Sequence, residues 1–331
     1  MELPPSDLSR SAALSRQGSA LSRQVQTLAT ELTSGLSSQP SRVNGGEAAK
    51  LHITDTYLTR LQADRAVLAT ADERFGAARR TLETIQSEIS PISAGLLAAT
   101  EAGDAARANI LAQDASSALE LTWSGLSTSY GGRALFGGTE PNLPILPALE
   151  TMLTSAKAAI AGGPADSAFD TLQTFFAEGG AFELLHWGGG AAIEGLTLAS
   201  GHTVGQLPTA LDPAFREMLT ALVGAHLSQD AAVATTPEAA LALQAQSAEA
   251  LITADTNLVT LTAAVGGEQG RLGAIDTLLA AEESTVEMTR AALFSADPYE
   301  TAAALTEAEA RLEALYTITS RLSRLSLSRY L

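Results

Sequence analysis

A chain of 331 residues and 34.1 kDa is long enough for one large domain or two to three smaller ones. Its 20 Lys and Arg against 37 Asp and Glu give a net charge of -17. That disfavours an electrostatic grip on nucleic-acid phosphates or anionic lipid, so neither nucleic acid nor membrane is expected as a partner. The lack of cysteine removes disulfides, thiolate zinc sites, iron–sulfur clusters and a cysteine nucleophile. No apolar run approaches the roughly 18 residues of a membrane span. The stretch Met1 to Asp7 has neither the basic start nor the apolar core of a cleaved secretory signal. With 46% hydrophobic but only 5% aromatic residues, the apolar content is mostly Ala and Leu, which suits closely packed long helices.

In chain order, Leu14, Leu21, Val25, Leu28 and Leu32 mark a short amphipathic helix that stops before Gln39-Pro40, and Asn44-Gly45-Gly46 reads as a loop. From Glu47 a long helix carries Leu61, Leu68, Phe75, Leu82, Ile89 and Leu96 at strict sevenfold spacing. Pro91 is expected to kink or end it, lacking the amide donor and clashing with the preceding turn. A continuation from Asp104 to about Ser129, with Ile110, Leu111, Leu119 and Leu126, completes a helical hairpin.

Between Gly137 and Thr235 prolines and glycines cut the chain into short elements, read as a separate mixed α/β domain. Helices are predicted at 147–161, 166–177 and 213–227, and strands at Phe182–Trp187 and Gly195–Leu198. A second long helix starts at Thr236-Pro237, with Thr as N-cap and Pro at the first helical position, and runs to about Phe294, on the order of 85 Å. Its stripe is Leu251, Leu258, Val265, Leu272, Leu279, Val286 and Leu293, and Gly266-Gly267-Glu268-Gln269-Gly270 reads as an irregularity within the rod. A final helix opens at Asp297-Pro298-Tyr299-Glu300, a capping-box variant, and carries Leu305, Leu312, Leu315, Ile318, Leu322 and Leu325.

The fold class is therefore mainly α. The N- and C-terminal regions form a long antiparallel coiled-coil or helical bundle, and a small mixed α/β middle domain is inserted at its distal end. Three parts are expected: a terminal coiled-coil assembly region, 1–46 with 297–331; a helical rod, 47–136 with 236–296; and a variable acidic middle, 137–235. From Ala134 to Ala250 twelve acids face only Lys157 and Arg216, whereas Ala314 to the C-terminus has Arg321, Arg324 and Arg329 and no acid. Near-neutral ends can pack densely, and an acidic middle is better left in solvent.

Chemistry is sparse. His52, His186, His202 and His226 lack metal-ligand spacing, the glycine runs lack the elements that make a phosphate cradle, and no Gly-x-Ser-x-Gly elbow is present. Glu282-Glu283 reads as a solvated helix face. No catalytic residue, metal or cofactor is expected, and the chain is read as a non-enzyme. The two long stripes should pair within the chain. The terminal helices, about 25 to 30 residues long and with no further partner in the chain, are expected to pack between molecules.

Several motifs carry a resemblance. Leu135-Phe136-Gly137-Gly138-Thr139 with Pro144-Ile145, the ending Leu325-Ser326-Leu327-Ser328-Arg329-Tyr330-Leu331, Val265-Gly266 with Arg271-Leu272, and Ala296-Asp297 resemble flagellar hook-associated protein 3, the FlgL-type hook–filament junction family of the flagellin superfamily. Asp212-Pro213-Ala214-Phe215-Arg216 is similar to alphaproteobacterial members. Leu32-Thr33-Ser34-Gly35 fits the N-terminal signature, but the basic residue and paired acids that follow it in the family are replaced by Leu36-Ser37-Ser38-Gln39 and Asn44-Gly45-Gly46-Glu47.

The resemblance implies a structural protein of the bacterial flagellum at the hook–filament junction, extracellular, and exported through the flagellar type III apparatus without a cleaved signal peptide. Implied partners are itself in a ring or helical assembly, the neighbouring hook-associated protein, flagellin, and a cytosolic export chaperone on the C-terminal helix. The assembly surface would comprise Leu21, Val25, Leu28, Leu32, Leu312, Leu315, Ile318, Leu322, Leu325 and Leu331. A divergent filament flagellin is the alternative, and a soluble enzyme carried by the middle domain a more distant one.

Overall fold

A computed structural model describes residues 7–37, 45–140, 144–161, 167–193, 195–293 and 295–327, with side chains inside the helix ends at 7–11, 45–48 and 322–327 left aside. The protein is mainly α, built on long helices that pack against one another. Its helices are α1 (Asp7–Ser34), α2 (Gly45–Glu101), α3 (Ala105–Leu126), α4 (Leu149–Ile160), α5 (Ala168–Phe176), α6 (Ala181–His186), α7 (Pro213–Leu227), α8 (Pro237–Leu293) and α9 (Pro298–Leu327). Two antiparallel hairpins accompany them, β1 (Ser129–Tyr130) with β2 (Arg133–Ala134), and β3 (Leu196–Thr197) with β4 (Thr203–Val204). No described helix is long and apolar enough to cross a membrane. By contacts the chain forms two compact units, Ala63–Leu279, and Met1–Gln62 with Ala280–Leu331.

In the Ala63–Leu279 unit the sevenfold stripes form the core. Leu68, Phe75, Leu82, Ile89 and Leu96 of α2 are at most 2% exposed, and Leu251, Leu258, Val265, Leu272 and Leu279 of α8 are at most 3% exposed. α2 and α8 run antiparallel: Arg65 pairs with Asp276 at 2.9 Å, Gly76 faces Gln269, and Gly266 faces Arg79. α3 folds back along α2, so that Gly95 faces Leu111 and Gly125 faces Ile85. Small residues there let the two backbones approach closely. The start of α3 is capped by Asp104, whose side chain accepts the Arg107 amide at 3.1 Å. Thr236 does the same for α8, accepting the Ala239 amide at 3.1 Å.

Pro91 does not end α2, which continues through it to Glu101. Pro91 and Ser87, whose carbonyl loses its helical partner, both lie on the exposed face, while Ile85, Ile89, Ile92 and Leu96 carry the buried stripe past the proline. α8 likewise runs unbroken through Gly266–Gly270. A helical glycine costs about 1 kcal/mol, less than buried Val265 and Leu272 supply on either side. Residues 182–187 are not a strand but lie in and just after α6: Phe182 and His186, four apart, are buried, while Leu184 and Leu185 face solvent. The relevant period is therefore 3.6 rather than 2.

The elements between 137 and 235 belong to this same unit. α7, capped by Asp212 on the Ala214 amide at 3.0 Å, is buried on nearly all sides and packs against α3 and α5. Phe136 meets Phe215 edge-on at 5.5 Å, and Trp123 meets Phe182 at 6.1 Å. Trp123 Nε1 also donates to the Pro147 carbonyl at 2.9 Å. The β1–β2 turn is made by Gly131 and Gly132, both at positive φ, as a two-residue hairpin turn demands.

Candidate assembly interface

The second unit gathers α1, the start of α2, the end of α8 and α9. α1 ends at Gly35, whose φ of +69° lets its amide cap the Glu31 carbonyl at 2.8 Å. The chain then pairs Leu36 with Ser295, and the Ala296 amide donates to the Gly35 carbonyl at 2.9 Å. Asp297 caps α9 by accepting the amides of Tyr299 and Glu300 at 2.8 and 3.3 Å. With these ends joined and Gly18 facing Leu315, α1 and α9 lie antiparallel.

The two terminal helices are thus paired within the chain. Leu28 and Leu315 are already buried, at 3% and 8% exposure, together with Gly18, Thr301 and Ala308. Leu21, Val25 and Leu312 are half-buried. Leu32 and Ile318 are exposed, at 38% and 52%. The side chains of Leu322 and Leu325, and all of Leu331, lie outside the described residues. On α1, positions 21, 25, 28 and 32 share one face, as 312 and 315 do on α9. The structure thus aligns the described members of the expected set along one helix pair and leaves its edges open.

The rest of the unit is held by polar contacts. Arg290 pairs with Asp55 at 2.7 Å, and Gln62 donates to Glu283 at 3.0 Å. Tyr57 donates to Glu282, whose carboxylate holds the phenol above its ordinary range. Glu282 and Glu283 are thus acceptors in a helix–helix contact rather than a solvated face. Val286 and Leu293 of the α8 stripe are only half-buried.

Apolar residues that the sequence reading did not single out are exposed on this unit: Ile53, Met288, Tyr299 and Tyr316. Ile53 and Met288 sit off the sevenfold register, and the two tyrosines flank it, so spacing gave no signal for them. An exposed apolar side chain is unremarkable singly.

A cleft of the other unit is lined by Phe169, Glu178, Glu183 and Arg216. It measures about 700 Å³ beside Arg216, whose guanidinium is fully engaged. It donates to the carbonyls of Leu211, Phe176 and Ala177 and, at 2.6 Å, to Glu183. Arg216 and the Gly179 amide hold the Glu183 carboxyl below its ordinary value. This arrangement locks the loops around Ala177 and Leu211 together.

No protein-family profile and no curated protein matches the chain. Among solved structures it is similar to the crystal structure of FlgL from Bacillus cereus, with a TM-score of 0.48 and 12% identity over 73% of this chain and 98% of that one.

Proposed function

We propose that this protein is a structural component of the bacterial flagellum, an adaptor at the hook–filament junction that works by repeated subunit packing. The observation that carries the reading is the unit that pairs α1 with α9 yet leaves Leu32, Ile318, Ile53, Met288, Tyr299 and Tyr316 in solvent. Further support comes from the resemblance of Leu135–Thr139 and of the residues from 325 onward to the junction family.

In this reading the helix pair is a preformed half of an interface, and neighbouring subunits cover its open edges. Burial shared among neighbours offsets the entropy of ordering the chain ends. The terminal helices are the assembly region, and the partners are further copies, the adjoining hook-associated protein and flagellin. A cytosolic chaperone would hold α9 before type III export. No step in this role requires catalysis.

Electron microscopy of cells lacking the chain, with a blot of the medium for flagellin, tests the reading. Bare hooks with unpolymerised flagellin outside are expected. Bare hooks with no other flagellin outside would make this chain the filament subunit, and normal filaments would remove the flagellar assignment.

A further inference from the structure

In a chain of net charge -17, Arg65, Arg79, Arg216 and Arg271 of the Ala63–Leu279 unit each pair with a carboxylate, whereas Arg74 and Arg133, which face one cavity, form no ion pair among the described residues. Arg74 of α2 and Arg133 of β2 line a cavity of about 560 Å³ whose walls include Phe75, Leu135, Leu196 and Val204. Arg74 Nε is buried without a hydrogen-bond partner, and among the described residues no acid forms an ion pair with either arginine. Burial, together with the like charge of Arg133, holds the Arg74 guanidinium below its ordinary value.

The nearby acids are engaged elsewhere. Glu73 accepts from Tyr130, and Glu268 is held by Arg271 and, at 2.6 Å, by the Gly205 amide at the cavity wall. Two guanidiniums kept together over an apolar floor without a counter-charge form a socket for an anionic group carried on an apolar body.

The same unit presents a knob of the complementary kind. Leu184 and Leu185 of α6 are 74% and 71% exposed, and neither lines the socket. Glu178, just before α6, is exposed and makes no ion pair among the described residues. Repulsion between copies of so acidic a chain must be offset somewhere, and unpaired cations meeting an acidic-apolar segment do so.

We infer that the Arg74–Arg133 socket receives the Glu178–Leu184–Leu185 knob of a second copy of this chain. The two patches are unlike, so the contact is heterologous; it propagates head to tail into a ring or helix and does not close as a two-fold dimer. This inference rests on the assembly reading above and adds a lateral contact remote in sequence from the terminal helices.

The lack of cysteine makes a clean test possible. Full-length Leu196→Cys chain, at the socket rim, is mixed with Leu185→Cys chain and treated with a short bismaleimide at high protein concentration. Covalent heterodimer is expected at least tenfold above that given by Ile110→Cys paired with Leu185→Cys. Adding Arg133→Glu to the socket chain should abolish it, and Glu178→Arg in the knob chain should restore it, with circular dichroism unchanged throughout. Yields equal to the Ile110 control, from chains that still restore filaments to a deletion strain, would overturn the inference alone. Cysteine chains that give only the control yield, together with a wild-type chain that does not restore filaments, would overturn the assembly reading and the inference together. Stabilisation by decanoate that depends on Arg74, without cross-linking, would give the socket to a free carboxylate ligand and also overturn it.

Discussion

Gly18 of α1 faces Leu315 of α9 so closely that a Cβ on the glycine would stand 3.4 Å from the Leu315 Cδ2 methyl. That is ordinary van der Waals contact, so one methyl fits and a branched side chain does not. Gly18→Ala should stabilise the helix pair by about 0.5–1 kcal/mol through helix propensity alone. Gly18→Ile should push α1 away from α9. Helix content and amide exchange over 12–34 would register both, the first with slower exchange and the second with faster.

Leu28 and Leu82 are buried to a similar degree but in different units, at 3% and 0% exposure. Leu28→Ala should cost about 2–5 kcal/mol, confined to the protection of α1 and α9. Leu82→Ala should cost a similar amount but lower the protection of the Ala63–Leu279 unit. Hydrogen exchange read by peptide separates the two patterns.

Pro91 removes one amide from the exposed side of a helix whose other side is fully packed. Pro91→Ala should restore the bond to the Ser87 carbonyl and relieve the ring clash, stabilising the protein by about 1–3 kcal/mol. Thermal unfolding should move upward. An unchanged or lower midpoint would mean that packing around the proline depends on its bend.

His226 sits within 2.9 Å of the Ser116 hydroxyl, and burial, followed by the Lys157 charge, holds it below its ordinary value of 6.5, against the opposing pull of Glu150, Asp230 and Glu120. The unfolded chain therefore takes up a proton before the folded one does. Stability is full above pH 6.5 and falls as pH drops below it, until the folded histidine titrates as well. Burial shifts His186 in the same direction. Melting temperature followed from pH 7.5 down to 5.5 should decline in the wild type and decline less steeply in His226→Gln.

Much of this architecture could be read from residue spacing. The stripes Leu68–Leu96 and Leu251–Leu279 are core because a sevenfold apolar repeat leaves the chain no other way to bury them, and the caps at Thr236 and Asp297 are visible as a Thr or an acid before Pro and a helical run. Pro91 does not end α2 and Gly266–Gly270 does not end α8 because a breaker's cost depends on which face it lies on and on what packs beside it, neither of which is local information. The misread of 182–187 has the same root: six residues with Phe182 and His186 four apart fit a helix, but aromatic and apolar density suggested a strand.

The α1–α9 packing was legible where it follows the repeat, in Leu28 and Leu315. The exposure of Ile53, Met288 and Tyr299 was not, because it arises from what the fold leaves uncovered. Nor does any motif announce Arg74 and Arg133, which are brought together only by the β1–β2 turn and α2.

The most direct test of the assembly role is complementation of a deletion strain with the Ile318→Glu chain. Ile318 is 52% exposed, so the change should alter folding stability by less than about 0.5 kcal/mol. The wild-type chain should restore filaments, whereas Ile318→Glu, folded and present in the medium, should leave bare hooks with flagellin unpolymerised outside the cell. Filaments of normal number on cells expressing Ile318→Glu would contradict an interface built on the open edge of α9.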